Sequence, residues 1–180
     1  MSQGKLVVYL GGIRSGKSQA AQKAFEEAIR AQNLKSPAYL GTLLTEASEA
    51  DVELAERLTE HRNQRPEAWA TVDVGHDLLG AGKACFEAKH DAWFLDGLGA
   101  WAALQLIQPQ AAMAALGGYL TLGRQVPLHV LVLDEVGQGG VAGDPVSRAF
   151  ADLNGSLNQA ACREADEVYS VQAGLLLRLK

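Results

Sequence analysis

The stretch LVVYLGGIRSGKS, residues 6–18, decides the fold. Its apolar run leads into Gly11, and four residues later come Gly16, Lys17 and Ser18, which fits the pattern G-x-x-x-x-G-K-[ST]. A run with helical character, QAAQKAFEEAIRAQ, follows. The pattern is typical of a phosphate-binding loop only where a strand precedes it and a helix follows, and both flanks are present. The sequence therefore predicts that this stretch binds a nucleotide phosphate.

Each part of the loop has a chemical reason. Glycines let the backbone curl so that successive N–H groups converge on phosphate oxygens, and the helix N-terminus directs its positive end at the same anion. Lys17 is expected to reach the terminal phosphates, and the Ser18 hydroxyl to ligate Mg²⁺. The residues predicted to contact the nucleotide here are Gly12, Ile13, Arg14, Ser15, Gly16, Lys17, Ser18 and Gln19.

Short apolar runs alternate with longer amphipathic ones along the whole chain. This alternation predicts an α/β fold whose sheet is mostly parallel and covered by helices on both faces. Strands are expected at 6–10, 37–43, 69–75, 92–96 and 128–136, and helices at 16–32, 46–61, 76–89, 100–122 and 146–162. Pro109 is expected to break or start a helix within its span. The chain should close with an antiparallel hairpin that turns at Ala173–Gly174, and one domain should cover residues 1–180.

Composition excludes several classes of protein. The formal net charge is −5 with no basic block, which argues against a nucleic-acid partner. The apolar run near the N-terminus is too short for a membrane span or a secretory signal, so we expect a soluble, cytoplasmic protein. Cys85 and Cys162 have no paired spacing, which favours two free thiols over a metal site or a disulfide framework.

The metal of a phosphate loop usually needs a second ligand, a carboxylate at the end of an apolar strand. Two strands qualify: AWFLD ends at Asp96, and LHVLVLDE ends at Asp134 and Glu135. Spacing alone does not choose between them. Each carboxylate could instead cap the turn that follows its strand.

A histidine among arginines stands out in RLTEHRNQRPEAW, residues 57–69. Arg57 and His61 are four residues apart and would share a helix face, and Arg62 and Arg65 add positive charge. Like charges disfavour protonation of an imidazole, and a neutral imidazole can attack phosphorus while arginines hold the anion. Taken alone, the stretch is more typical of a solvated helix end rich in arginine.

Together these stretches resemble the family of bifunctional adenosylcobinamide kinases and adenosylcobinamide-phosphate guanylyltransferases of cobalamin biosynthesis. The resemblance runs in order through GGIRSGKS, HRNQRPEAW, FLDGL, DEVGQGGV and FADLNGSLNQAACREADEVYSVQAG. It implies a P-loop NTPase-like, RecA-like fold, often as a homotrimer. It also implies phosphorylation of adenosylcobinamide by a nucleoside triphosphate, followed by transfer of GMP from GTP, through a histidine, to the cobinamide phosphate.

The resemblance assigns roles residue by residue. It makes His61, which opens H-x-x-x-R-P, the carrier of GMP, with Lys17 as its catalytic partner at the phosphates. It favours Asp96 over Asp134 as the carboxylate that shares Mg²⁺ with Ser18. The remaining residues implied in nucleotide binding are Leu43, Leu44, Thr45, Arg62, Asn63, Gln64, Arg65 and Asp73. The resemblance implies GTP and ATP as the nucleotides and a corrinoid as the acceptor. It implies no membrane span.

The chain departs from the family pattern at several positions. Asp134 stands where the family usually has Asn, and Ala142 follows Val141 in GGVAGDP where the family commonly has proline. Ser156 and Ala160 stand where arginines are expected. The Thr and Asn that usually follow the middle-strand carboxylate are missing from GLGAWAALQL. Two alternatives therefore stay open: a small-molecule kinase without the transferase, and a nucleotide-binding regulatory relative whose acceptor site has decayed.

Overall fold

A computed structural model describes residues 3–42 and 68–180. Within them, the strands are β1 Lys5–Gly11, β2 Pro37–Gly41, β3 Ala70–Asp73, β4 Ala92–Asp96, β5 Leu128–Asp134, β6 Glu167–Gln172 and β7 Leu175–Arg178. The helices of the same residues are α1 Lys17–Gln32, α2 Leu78–Glu87, α3 Leu98–Ala103, α4 Pro109–Gly123 and α5 Pro145–Glu164.

The strands of the described residues form one sheet in the order β3-β2-β4-β5-β1-β6-β7. Every neighbouring pair is parallel except β6 and β7, which form the expected antiparallel hairpin. Ala173 and Gly174 both have positive φ at its turn, 50° and 79°, as a tight hairpin turn requires. The parallel strands all end at the same edge of the sheet, so the loops that follow them meet there.

The helix boundaries follow local sequence signals. α2 begins one residue after Asp77, whose side chain accepts a hydrogen bond from the Gly80 N–H. The helical span expected over 100–122 is divided into α3 and α4. As predicted, Pro109 starts a helix within it, because its ring suits a first helical position. The predicted helix over 46–61 lies outside the described residues.

Alternate residues of the central strands pack on opposite faces of the sheet. On one face, Phe25 of α1 packs with Tyr39 and Phe94. On the other, Trp93 lies in a larger core with residues of α2 to α5, including Tyr119. Among the described residues, no helix combines the length and the apolar character needed to cross a bilayer.

Candidate active site

The predicted phosphate loop lies between β1 and α1, at the carboxyl edge of the sheet. It turns through two residues with positive φ, Arg14 at 56° and Gly16 at 88°, and the Ser15 N–H donates to the Gly12 carbonyl at 3.2 Å. The Gly174 N–H donates to the Ser15 carbonyl at 2.9 Å, so the turn of the terminal hairpin supports the loop. α1 has no acidic residue in its first turn, which leaves its positive end available to an anion.

The structure places Ser18 beside Asp96, the two residues expected to share Mg²⁺. The Ser18 hydroxyl donates to Asp96 Oδ1 at 3.0 Å, and the Tyr39 hydroxyl donates to Asp96 Oδ2 at 2.7 Å. The Thr42 hydroxyl lies 3.0 Å from the Asp96 carbonyl and 2.6 Å from the Gly97 carbonyl, next to the same strand end. A hydroxyl and a carboxylate thus meet where α1 passes the end of β4.

Asp134, the other candidate carboxylate, contacts the loop lysine instead. Lys17 Nζ lies 2.9 Å from Asp134 Oδ1 and 3.3 Å from the Gly12 carbonyl. The two carboxylates therefore have different partners: Asp96 is with the hydroxyl of the expected metal site, and Asp134 is with the ammonium. Spacing along the chain could not distinguish these roles, because both residues end apolar strands of the same sheet.

Among the described residues, one other predicted site residue, Asp73, lies away from the loop. Asp73 ends β3, at the same edge of the sheet but four strand spacings from β1, a distance of about 19 Å. Its role in binding the nucleotide stays a prediction. The remaining predicted residues lie outside the described part of the chain: Leu43, Leu44, Thr45, His61, Arg62, Asn63, Gln64 and Arg65.

Several residues at this edge were not singled out by the sequence. Tyr39 orients Asp96. Asn154 and Asn158 of α5 donate from their Nδ2 atoms to the Asp134 carbonyl at 2.8 and 2.9 Å. Their four-residue spacing puts both amides on one helix face, which is a signal the sequence contains, but it does not reveal which carbonyl they bind.

A separate group of polar side chains lies in the core and not at the edge. His129 and Tyr119 are fully buried, and His129 Nε2 lies 3.0 Å from the Tyr119 hydroxyl. Burial, together with the positive charge of Arg124, lowers the pKa of His129 to about 3. Burial also raises the pKa of Tyr119 well above its usual value and that of the free Cys85 thiol to about 11. All three groups are therefore neutral at physiological pH.

Comparison with known proteins decides the family. The sequence model described as cobinamide kinase / cobinamide phosphate guanyltransferase matches residues 7–179. The chain belongs to this family. It is 30% identical over 174 residues to the bifunctional adenosylcobalamin biosynthesis protein CobP of Pseudomonas aeruginosa, covering 95% of each chain. It is 26% identical over 200 residues to the bifunctional adenosylcobalamin biosynthesis protein CobU of Escherichia coli, covering 97% of this chain and 99% of that one.

A solved structure confirms the fold class. The flagellar accessory protein FlaH of Methanocaldococcus jannaschii superposes with a TM-score of 0.52 at 12% sequence identity, over 100% of this chain and 80% of that one. At this identity the likeness concerns the fold alone. The resemblance to the family and the P-loop NTPase-like, RecA-like fold that it implied are thus both confirmed.

Proposed function

We propose that this chain phosphorylates adenosylcobinamide with a nucleoside triphosphate and then transfers GMP from GTP to adenosylcobinamide phosphate, giving adenosylcobinamide-GDP. The observation that carries the proposal is the family match over residues 7–179 in a chain whose phosphate loop is complete. The curated relatives are named as bifunctional proteins of adenosylcobalamin biosynthesis and are covered almost end to end.

In this proposal Gly12 to Ser18 bind the triphosphate of GTP or ATP. The loop N–H groups and the start of α1 bind phosphate oxygens, and Lys17 neutralises charge on the phosphates as the bond to the leaving group breaks. The acceptor hydroxyl attacks the terminal phosphorus, its proton is released, and the nucleoside diphosphate leaves with the bridging oxygen.

The residues beside the loop fit Mg²⁺. Ser18 Oγ and Asp96 Oδ1, 3.0 Å apart, are hard oxygen ligands, and Mg²⁺ is usually bound by one or two carboxylates together with substrate phosphates and water. Ser18 and Asp96 would hold the ion, and Tyr39 would keep the carboxylate oriented. When bound, Mg²⁺ supplies charge neutralisation at the phosphates.

The transfer of GMP is proposed to pass through His61. The imidazole nitrogen attacks the α-phosphorus of GTP, the bond to the bridging oxygen breaks, and pyrophosphate leaves. The acceptor phosphate then attacks the same phosphorus and releases the imidazole. Arg62 and Arg65 would stabilise the phosphates, and the other nucleotide contacts are proposed for Asn63, Gln64, Leu43, Leu44, Thr45 and Asp73.

Intact-protein mass spectrometry after incubation with GTP and Mg²⁺ tests this proposal. We expect a mass increase of one GMP in the wild-type protein, stable in base and labile in acid, and none in His61→Ala. His76→Ala is the matched control, because His76 is exposed and has no assigned role, and it should be labelled like the wild type.

Other outcomes would point to the alternatives. Phosphorylation of adenosylcobinamide without a protein-bound label would leave a kinase alone. GTP binding with neither activity would leave a nucleotide-binding regulatory protein. Label on both histidine variants would remove His61 as the carrier while keeping the transferase.

We also propose that the protein is a homo-oligomer, a trimer by family resemblance. The described surface that supports self-association is the outer strand β7 and the residues after it, where Leu175, Leu176, Leu177 and Leu179 are 75%, 49%, 63% and 56% exposed. An outer strand with exposed leucines offers both backbone groups and apolar area to a second copy. Light scattering after gel filtration should give the mass of a trimer, and Leu177→Lys should lower it.

A further inference from the structure

The carboxylate of Asp134 forms an ion pair with the lysine of the phosphate loop. Its Oδ1 lies 2.9 Å from Lys17 Nζ, and the side chains of Lys17 and Asp134 are 12% and 33% exposed. The ammonium that the loop presents to phosphate is therefore already paired, at a position that solvent and ligands can still reach. A triphosphate that binds here must share this ammonium with Asp134 or take it over.

The position of Asp134 is fixed by three elements of the fold. Its carbonyl accepts hydrogen bonds from the Nδ2 groups of both Asn154 and Asn158. The Oδ1 atoms of these asparagines are buried and have no hydrogen-bond partner among the described residues. Asp134 pairs with Gly11 in the register of β5 and β1, directly beside the loop. Gly99 lies close to the Asp134 side chain, because a Cβ atom added at this glycine would lie only 2.6 Å from Asp134 Oδ2. The fold thus holds this carboxylate against the loop.

A role as metal ligand suits Asp96 better than Asp134. Asp96 Oδ1 faces the Ser18 hydroxyl, whereas the Lys17 ammonium occupies the space in front of Asp134 Oδ1. Asp134 also offsets the charge of Lys17. The Lys17–Asp134 pair is neutral as a whole, so it offers no net positive charge to a free triphosphate, whereas a divalent cation bound at Ser18 and Asp96 would supply one.

We propose that Asp134 makes the phosphate loop selective for metal-bound nucleoside triphosphate, because its carboxylate repels the free anion more strongly than the metal complex, whose charge is partly neutralised. The inference rests on the proposed function only in that GTP or ATP binds at this loop. A carboxylate paired with the lysine that contacts the phosphates is close enough to change the affinity for a free anion about tenfold or more.

Titration calorimetry with GTP, in EDTA and in excess Mg²⁺, tests the proposal on the wild-type protein, Asp134→Asn and Asp96→Asn. For Asp134→Asn we expect affinity in EDTA to rise about tenfold or more while affinity in Mg²⁺ changes little, so that the gain from Mg²⁺ shrinks. For Asp96→Asn the gain should shrink for the opposite reason, since affinity in Mg²⁺ falls. The ratio of GTP affinity in Mg²⁺ to GTP affinity in EDTA thus falls in both variants. It falls through stronger binding in EDTA for Asp134→Asn and through weaker binding in Mg²⁺ for Asp96→Asn.

Asp134→Ser is a second variant with the same expectation. Both variants keep the backbone carbonyl that Asn154 and Asn158 bind, so both should fold, and circular dichroism checks this. Two results would overturn the inference: unchanged affinity in EDTA for both Asp134 variants, or a loss of affinity in Mg²⁺ like that of Asp96→Asn, which would make Asp134 a metal ligand.

The test separates this inference from the proposed function. If the wild-type protein binds GTP with Mg²⁺ and the Asp134 variants bind it identically in both conditions, the inference fails and the proposed function stands. If Asp134→Asn binds like the wild type but loses turnover with adenosylcobinamide, Asp134 acts on the acceptor and the inference is again wrong. If the wild-type protein binds neither GTP nor ATP in either condition, both fail together.

Discussion

Strand β5 carries titratable side chains into two contrasting environments. His129, its second residue, lies in the core with Tyr119 and Cys85, and we call these three the core cluster. Asp134, its last residue, lies at the sheet edge with Lys17, Ser18 and Asp96, which we call the loop cluster. One strand of seven residues thus joins a site with no access to solvent and a site that is open to it.

The contrast shows how position along a strand decides what a polar group can do. In the core cluster burial keeps every group neutral, so its hydrogen bonds contribute to stability and its members have no charge to offer a ligand. In the loop cluster the side chains are paired with one another yet partly exposed, so phosphate and metal can replace those partners. Substitutions in the loop cluster should therefore change activity, and those in the core cluster should change stability.

The largest effect is expected from Lys17→Met. Removing the ammonium removes the charge that stabilises the phosphates in the transition state, and we expect phosphorylation of adenosylcobinamide to fall about 10²- to 10³-fold. The melting temperature should change little, because Asp134 is 33% exposed and water can solvate it. Lys23→Met, an exposed position of the same helix, is the control for loss of one positive charge. A change in turnover below tenfold would remove the loop cluster as the reaction site.

The next effect is a pH dependence of stability from His129. Its pKa is about 3 in the folded protein and near 6.5 in the unfolded chain, so only the unfolded chain takes up the proton between these values. Stability from this group is complete above about pH 6.5 and is lost as pH falls toward 3. We expect the free energy of unfolding to drop by roughly 2.5 kcal/mol between pH 7 and pH 4.5, measured by urea titration at each pH.

The control for this effect is His129→Gln. Glutamine can still place a polar atom near the Tyr119 hydroxyl but does not titrate, so the variant should show a flatter dependence on pH between 7 and 4.5. Parallel curves for the wild type and the variant would show that other groups cause the acid sensitivity, and that His129 is accessible to protons in the folded state.

A smaller effect on activity is expected from Tyr39→Phe. The hydroxyl that orients Asp96 is lost while the ring keeps its stacking on Phe94, at 5.7 Å between centroids. Loss of a hydrogen-bond partner of a metal ligand usually lowers metal affinity about tenfold or more. The Mg²⁺ concentration for half-maximal activity should therefore rise, while turnover at saturating Mg²⁺ stays the same. Tyr9→Phe, on the same face of the sheet, should leave the Mg²⁺ dependence unchanged.

The sequence predicts the loop cluster far better than the core cluster, for physical reasons. A phosphate loop needs glycines, a lysine and a hydroxyl at fixed spacing, so Gly16, Lys17 and Ser18 can be identified without a structure. Hydrophobic alternation likewise predicts the parallel sheet and its hairpin. The pairing of His129 with Tyr119, however, depends on how α4 packs on β5, which no local pattern encodes. The same limit applies to Asp134, because only the strand order places it against Lys17.

The smallest effect is expected from Tyr119→Phe, which removes one hydroxyl from the core cluster. His129 Nε2 then lies buried without its partner, and we expect a loss of about 1–2 kcal/mol in the free energy of unfolding at pH 8 with no change in GTP binding. Combining it with His129→Leu tests the pairing, since removal of both polar groups leaves none unsatisfied. The double variant should therefore lose less stability than the sum of the two single ones. Additive losses would mean that the two side chains stabilise the core independently, by packing alone.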